Sequence, residues 1–324
     1  MLALSESDVA QLLPVEEAIP LVQAAYVAYS HGKITCPQRL GLPLLPQGAV
    51  LLSMPAFDGR EFAGVKLVSV QPENARRGLS VVRATYLLFD GTTCEPLAIM
   101  GATRLTAIRT GAAGGVAARL LALPDADSLA LIGTGAQAET QLLAAVAVRP
   151  IRQVWVHSRD PGHVKHFIAR MTPLVQARLL GAASASDAVR RAGIVVTATN
   201  AATPVFSADD VQPGTHITAV GAFTATMQEV PDAVVAGAAV YVDAVEAAWH
   251  EAGELAGPFA RGLIGRNQVI GEMGALAAGE IQGRTSVGQI TLFKSVGLAA
   301  QDLTCAAAAY RRADAAGVGT RVAI

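Results

Sequence analysis

Hydrophobic and polar positions change their spacing twice along the chain. Over residues 1–32 the apolar positions recur at helical intervals: Ser5 to Asp8 forms a capping-box-like start, and Pro14 opens a longer helix through Ala24, Ala25 and Val27. From about Ala49 to Met100 the spacing becomes that of strands, with VLLSMP, FAGVKLVSV, VVRATYLLF and EPLAIM separated by Gly, Pro and Asp turns. Asp90-Gly91 is a hairpin signal, so this region reads as antiparallel. From Thr110 onward helices and strands alternate: a helix near 111–122, then strands at 128–132, 153–157, 193–199, 216–222 and 239–243. That alternation predicts an α/β fold with a mostly parallel, doubly wound sheet. The alanine-rich stretch from Leu298 to Ala315 reads as a closing helix that returns to the first domain.

Within the alternating region, Leu129 to Ala138 reads LALIGTGAQA and joins an apolar strand to a glycine-rich turn and a helix. Gly133 allows the tight turn, Gly135 lets the backbone approach a pyrophosphate, and Ala138 permits close packing of helix on strand. The helix N-terminus offers N–H groups and partial positive charge to the anion. The upstream turn Pro124-Asp125-Ala126-Asp127 and the following strand at 153–157 complete a βαβ unit, which points to a dinucleotide. An NAD-preferring site places a carboxylate at the end of the second strand. This chain has His157-Ser158-Arg159 there, and a hydroxyl with a guanidinium suits a 2′-phosphate. NADP (NADPH) is therefore preferred and NAD is the second option, because Asp160 can still turn inward.

Composition narrows the class. At 324 residues, with 52% hydrophobic and 16% charged residues, the chain can bury a large core and carries two domains by size. A formal net charge of −1 provides no basic field for nucleic acid or an anionic membrane surface. The acidic start MLALSESDVAQLL lacks the basic region of a signal peptide, and no apolar run reaches the ~18 residues of a membrane span, so a cytoplasmic protein is expected. Cys36, Cys94 and Cys305 are too scattered for a disulfide framework. His163 and His166 lie at helical spacing on a polar face and make a poor metal site without a further ligand.

Three cations stand out because their surroundings are apolar or tightly turned: Arg39, Lys66 and Arg109. Burying a cation costs several kcal/mol, on the order of a lost ion pair, unless an anion meets it. The anion is either a substrate carboxylate or an internal one such as Asp90 or Glu73.

Five separated blocks carry a resemblance that covers nearly the whole chain: GVKLVSVQPENARRGL at 64–79, LTAIRTGAA at 105–113, IGTGAQA at 132–138, AVGAF at 219–223 and ITLFKSVGLAAQDL at 290–303. In this ordered set the chain resembles the ornithine cyclodeaminase/mu-crystallin family. The resemblance implies a doubly wound Rossmann dinucleotide-binding domain at 112–297, and an α+β substrate-binding and dimerisation domain formed by 1–111 with 298–324. It also implies a homodimer. By similarity Arg39, Lys66 and Arg109 clamp a substrate carboxylate, with Lys66 and Arg109 catalytic. Ala136, Gln137, Thr197, Thr199, Val220, Gly221 and Ser295 join Gly133, Gly135, Ser158 and Arg159 as cofactor contacts.

One position separates the reactions of such proteins. Where ornithine cyclodeaminases carry an acid/base aspartate, this chain has Phe223, and a phenyl ring transfers no proton. The GAF sequence instead resembles members that reduce cyclic ketimines, with Met54, Phe57 and Phe223 as an apolar wall. The expected activity is NAD(P)H-dependent reduction of a small cyclic imino acid, Δ1-pyrroline-2-carboxylate or Δ1-piperideine-2-carboxylate. This chain departs from that subgroup at Ala225-Thr226, where Pro-Asp is usual, which leaves the ring open. The alternatives are an ornithine cyclodeaminase using Glu229 as a displaced acid/base, an alanine dehydrogenase-like activity, and a non-catalytic dinucleotide-dependent binding protein.

Overall fold

The computed structural model describes residues 1–44 and 48–323. The fold is α/β and divides into two compact units, Met1–Arg109 with Leu298–Ile324, and Thr110–Gly297; Ile324, in the expected 298–324 segment, lies outside the described residues.

The first unit is built on a seven-stranded sheet. Its strands are β1 (Leu2–Leu4), β2 (Leu40–Leu44), β3 (Ala49–Phe57), β4 (Phe62–Val70), β5 (Val82–Asp90) and β6 (Pro96–Gly101), with a terminal strand Thr320–Arg321 beside β1. Strands β2 to β6 form an antiparallel meander, as the alternation predicts. The hairpin at Asp90 closes with the Asp90 carboxylate accepting from the backbone N–H of Thr92 and Thr93, both at 2.8 Å. Helices α1 (Glu6–Leu12) and α2 (Val15–Ser30) follow β1, and the Ser5–Asp8 capping box is present. The closing helix Ala299–Ala316 lies against β3, β4, β5 and α2. Its small residues Ala299, Ala300, Ala306 and Ala309 are buried there, so a long run of alanine allows close approach to the sheet.

Helix α3 (Ala102–Leu121) contains the division between the units and starts well before the expected 111–122. Its first turns carry no local start signal, because the N–H groups of Thr103 and Arg104 are capped by the distant Glu6 carboxylate at 2.9 and 2.6 Å. The expected part of the helix holds Gly111, Gly114 and Gly115, although glycine disfavours helix interiors by about 1 kcal/mol each. Packing explains two of them. A Cβ at Gly111 would sit 2.6 Å from the Thr140 Cβ, and one at Gly114 would overlap the Gln141 side chain.

The second unit carries an eight-stranded sheet in which every pairing is parallel. In chain order its strands are β7 (Ser128–Ile132), β8 (Gln153–His157), β9 (Arg178–Gly181), β10 (Ile194–Thr197), β11 (His216–Ala219), β12 (Ala239–Val242), β13 (Val269–Glu272) and β14 (Thr291–Lys294). Their spatial order is β13-β12-β14-β11-β10-β7-β8-β9, so the chain winds outward from β7, returns, and winds the other way from β10. That reversal makes β7/β10 the topological switch point, outside whose carboxyl ends ligands gather in such sheets. Successive residues of the central strands feed opposite cores: Ala130, Ile132 and Val195 face one, and Leu129, Leu131, Ile194 and Val196 the other.

Strands at 128–132 and 153–157 agree with expectation, whereas those read as 193–199 and 216–222 end at Thr197 and Ala219. The residues beyond leave the sheet as loops. The short strands β1, β2, β9, β13 and β14 are not apparent in the hydrophobic pattern. Gly41 and Pro43 hide β2 in particular, and its edge position tolerates both.

Candidate active site

Each unit gathers one group of the expected residues. In the first, the alternation of β4 turns Lys66 inward beside Met54 on β3 and Tyr86 on β5, its register partners. Lys66 is 1% exposed, and its Nζ donates to Asp302 Oδ2 at 2.7 Å. Arg109, in α3, donates from Nε to Asp302 Oδ1 at 3.0 Å and from Nη1 to Gln301 Oε1 at 2.9 Å. Gln301 donates in turn to the Tyr26 hydroxyl. Asp302 is thus one fully buried carboxylate shared by two buried cations.

The internal partners expected at Asp90 or Glu73 are therefore corrected. Asp90 caps its hairpin and Glu73 pairs with exposed Arg76 at 2.9 Å, whereas the anion that meets Lys66 and Arg109 is Asp302. Asp302 and Gln301 lie in the quoted AAQDL block without an expected role. The signal that finds them is two polar residues on the apolar face of an alanine-rich helix.

Charge in this cluster is unbalanced. Among the described residues, two of the three Lys66 N–H groups and the Arg109 Nη2 have no protein partner. Of the charged groups acting on Lys66 among the described residues, Asp302 is the one anion. Burial pushes the Cys36 and Cys305 thiols up to about 12 and the Tyr86 phenol well above its ordinary value. Burial, then the Arg109 charge, pulls the Lys66 ammonium down to about 7 against the pull of Asp302; half-buried Arg39 acts in the same direction as Arg109.

The second unit assembles the strand-end residues. Gly133 follows β7 with φ of 109°, a backbone that favours glycine, and its N–H donates to His157 O at 2.8 Å, tying the glycine turn to the end of β8. Gly135 is the N-cap of α4 (Ala136–Val148); no side chain caps the helix, and a Cβ at Gly135 would meet nothing within 4 Å. Exposed helix-start amides and this open cradle suit an anion. Among the described residues, two buried polar atoms, Gln137 Oε1 in α4 and Thr197 Oγ1 at the end of β10 beside Ile132, have no hydrogen-bond partner. Ser158 is half-buried and Arg159 exposed after β8. Asp160 does not compete with them: its carboxylate accepts from Gly162 N at 2.7 Å and caps the helix Pro161–Met171.

Loops after β10 and β11 are held by Glu229. Its Oε1 accepts from Thr199 N and Oγ1 at 2.6 and 2.8 Å, and its Oε2 from Gly221 N and Ala222 N at 2.7 and 3.1 Å. The alternative that made Glu229 a displaced acid/base is corrected by this geometry, since both oxygens are engaged in fixing backbone. Lys294, paired with Glu254 at 3.1 Å, donates to the Ala222 carbonyl at 2.6 Å, so the Val220–Phe223 loop is gripped from two sides. Half-buried Phe223 rides on that loop. Ser295 donates its hydroxyl to Asp243 Oδ2 at 2.8 Å, which leaves its oxygen lone pairs for accepting. Glu254, Lys294 and Asp243 escape sequence reasoning because their partners lie in distant segments.

The histidine pair matches its solvated reading, with His163 facing Asp160 at 3.6 Å on the surface. No described helix is long and apolar enough to cross a membrane.

Known proteins extend these observations. The family model for the ornithine cyclodeaminase/mu-crystallin family matches residues 1–317. The chain is 38% identical over 324 residues to the Delta(1)-pyrroline-2-carboxylate reductase of Bacillus cereus, with 99% of both chains covered. It superimposes on Thermococcus litoralis Delta(1)-pyrroline-2-carboxylate reductase in complex with NADH and L-proline with a TM-score of 0.97 at 37% identity, covering 99% of this chain and 100% of that one. An archaeal alanine dehydrogenase dimer with bound NAD gives a TM-score of 0.94 at 34% identity, covering 100% and 99%. The chain therefore belongs to the ornithine cyclodeaminase/mu-crystallin family.

Proposed function

We propose that the chain is an oxidoreductase that reduces the C=N bond of a small cyclic imino acid, Δ1-pyrroline-2-carboxylate to proline or its six-membered homologue to pipecolate. The observation that carries this reading is the buried cluster in which Lys66 and Arg109 share the single carboxylate of Asp302. Such a site lacks one negative charge, and the carboxylate of an imino acid supplies it. The likeness to reductases of this substrate, one with L-proline bound, supports the same choice.

The open N–H groups of Arg109 and Lys66, with Arg39, hold the substrate carboxylate. Lys66, whose ammonium titrates at about 7, donates a proton to the ring nitrogen near neutral pH. Met54 and Phe223 supply apolar surface for the ring. A reduced nicotinamide dinucleotide supplies the hydride when bound. Gly133, Gly135, Ala136, Gln137, Thr197, Thr199, Val220, Gly221 and Ser295 hold it, and the uncapped α4 start and orphaned Gln137 and Thr197 oxygens fit that role. Ser158 and Arg159 favour NADPH over NADH. In this reading Thr110–Gly297 is the dinucleotide domain, and the other unit binds substrate.

Ornithine cyclodeamination is disfavoured by Phe223 and by the full engagement of Glu229. An alanine dehydrogenase-like reaction, reduction of pyruvate with ammonia, is the second reading, favoured by the likeness to the archaeal enzyme. Oxidation of NADPH and NADH is to be followed with the five-membered imine, with pyruvate plus ammonia, and with ornithine plus NAD as the lyase control. The expected result is imine-dependent oxidation, faster with NADPH, and no ammonia from ornithine. Ammonia and proline from ornithine would overturn it.

We further infer a cytoplasmic homodimer. The free cysteines suit a reducing compartment. Edge strand β2 exposes Leu40 and Leu42 by 71% and 55%, an apolar edge that monomers avoid. Sedimentation should give a dimer for the native chain and a monomer for Leu42→Asp. A native monomer contradicts the inference.

A further inference from the structure

We propose that Asp302 is a positioning residue for the reduction, holding the Lys66 ammonium and the Arg109 guanidinium on one rigid carboxylate so that their remaining N–H groups serve the substrate. The inference rests on the reading of Lys66 and Arg109 given above. Its geometry is independent of that reading: Oδ2 to Lys66 Nζ at 2.7 Å, Oδ1 to Arg109 Nε at 3.0 Å, and a carboxylate with no exposure near the start of the Ala299–Ala316 helix. Gln301, one residue earlier, fixes the Arg109 Nη1, so the guanidinium cannot turn about its bond to Asp302.

The charge of Asp302 matters as much as its place. The groups acting on Lys66 are Arg109 from α3, Arg39 from the segment before β2, and Asp302; Cys36 and Cys305 face Tyr86, and Asp302 acts on both thiols. Both arginines disfavour the Lys66 ammonium, both thiols are neutral, and Asp302 alone among these charges favours it. Without the carboxylate, Lys66 in a buried site facing two guanidiniums sheds its proton at lower pH. The reaction needs the proton, so Asp302 sets the upper pH at which the enzyme works.

The test is the pH profile of kcat/KM for the imine with wild type, Asp302→Asn, Asp302→Glu and Lys66→Met. Asp302→Asn keeps the shape and an acceptor oxygen but removes the charge. Its alkaline limb should move to lower pH by about one unit or more while the KM for NADPH stays within about twofold. Because a buried partner is lost, Asp302→Glu provides the second variant: it retains the charge, so its limb stays at the wild-type position while the KM for the imine rises severalfold. An alkaline limb unmoved in Asp302→Asn, or displaced equally in Asp302→Glu, overturns the proposal. Lys66→Met separates the two readings. A wild-type rate and profile in that variant defeats the role of Lys66 itself, whereas loss of the limb there with an unmoved limb in Asp302→Asn defeats only Asp302.

Discussion

Replacing Lys66 with methionine should lower kcat/KM for the cyclic imine by about three orders of magnitude while leaving NADPH affinity within about twofold. Two losses combine in that figure. The substrate carboxylate loses a charged N–H, and the ring nitrogen loses its proton donor. The fold should survive, because methionine is close to lysine in length and the variant leaves Asp302 paired with Arg109 at 3.0 Å rather than isolated. Loss of a charge-assisted hydrogen bond costs about 1.5–3 kcal/mol, offset in part by no longer burying an ammonium. Steady-state kinetics with the imine, beside fluorescence titration of NADPH, separate these effects. Parallel loss of dinucleotide binding would instead mark Lys66 as a structural residue.

Gly221→Ala should produce the second large effect, this time on the dinucleotide. A Cβ at Gly221 would overlap the Thr199 backbone and come within 2.5 Å of Glu229 Oε1. The obstacles are backbone and a carboxylate already holding Thr199, Gly221 and Ala222, so nothing nearby can move cheaply. Overpacking of this kind costs about 1–3 kcal/mol. Transmitted to both strand-end loops, it should weaken NADPH binding by about tenfold or more and lower Tm by several degrees. Titration of NADPH against the variant checks this; unchanged affinity would remove the Val220–Phe223 loop from the cofactor site.

How much of this is legible in the sequence depends on the range of the interaction that decides each feature. The unit Ser128 to Val148 is legible because strand, turn and helix are each specified locally: an apolar run, Gly133 at positive φ, and an uncapped helix start. The early turns of α3, Ala102 to Thr110, are obscured because the carboxylate that caps their N–H groups is Glu6, 97 and 98 positions away. Lys66 and Arg109 stand out as misplaced cations, yet their anion is 236 and 193 positions distant, and closer carboxylates such as Asp90 and Glu73 look equally suitable in the chain. Glu229 is legible as a carboxylate near the reacting loop. Only the fold reveals that four donors occupy it.

In the proposed reaction the C=N carbon of the cyclic imino acid receives hydride from the reduced nicotinamide. The most direct measurement is the fate of deuterium from NADPH labelled at C4 of the nicotinamide on the transferred face. Incubation with Δ1-pyrroline-2-carboxylate should give proline carrying deuterium at C2, and label on the opposite face should stay with the cofactor. Proline formed without deuterium from either labelled face, or no proline from the imine while ornithine releases ammonia, would contradict the account.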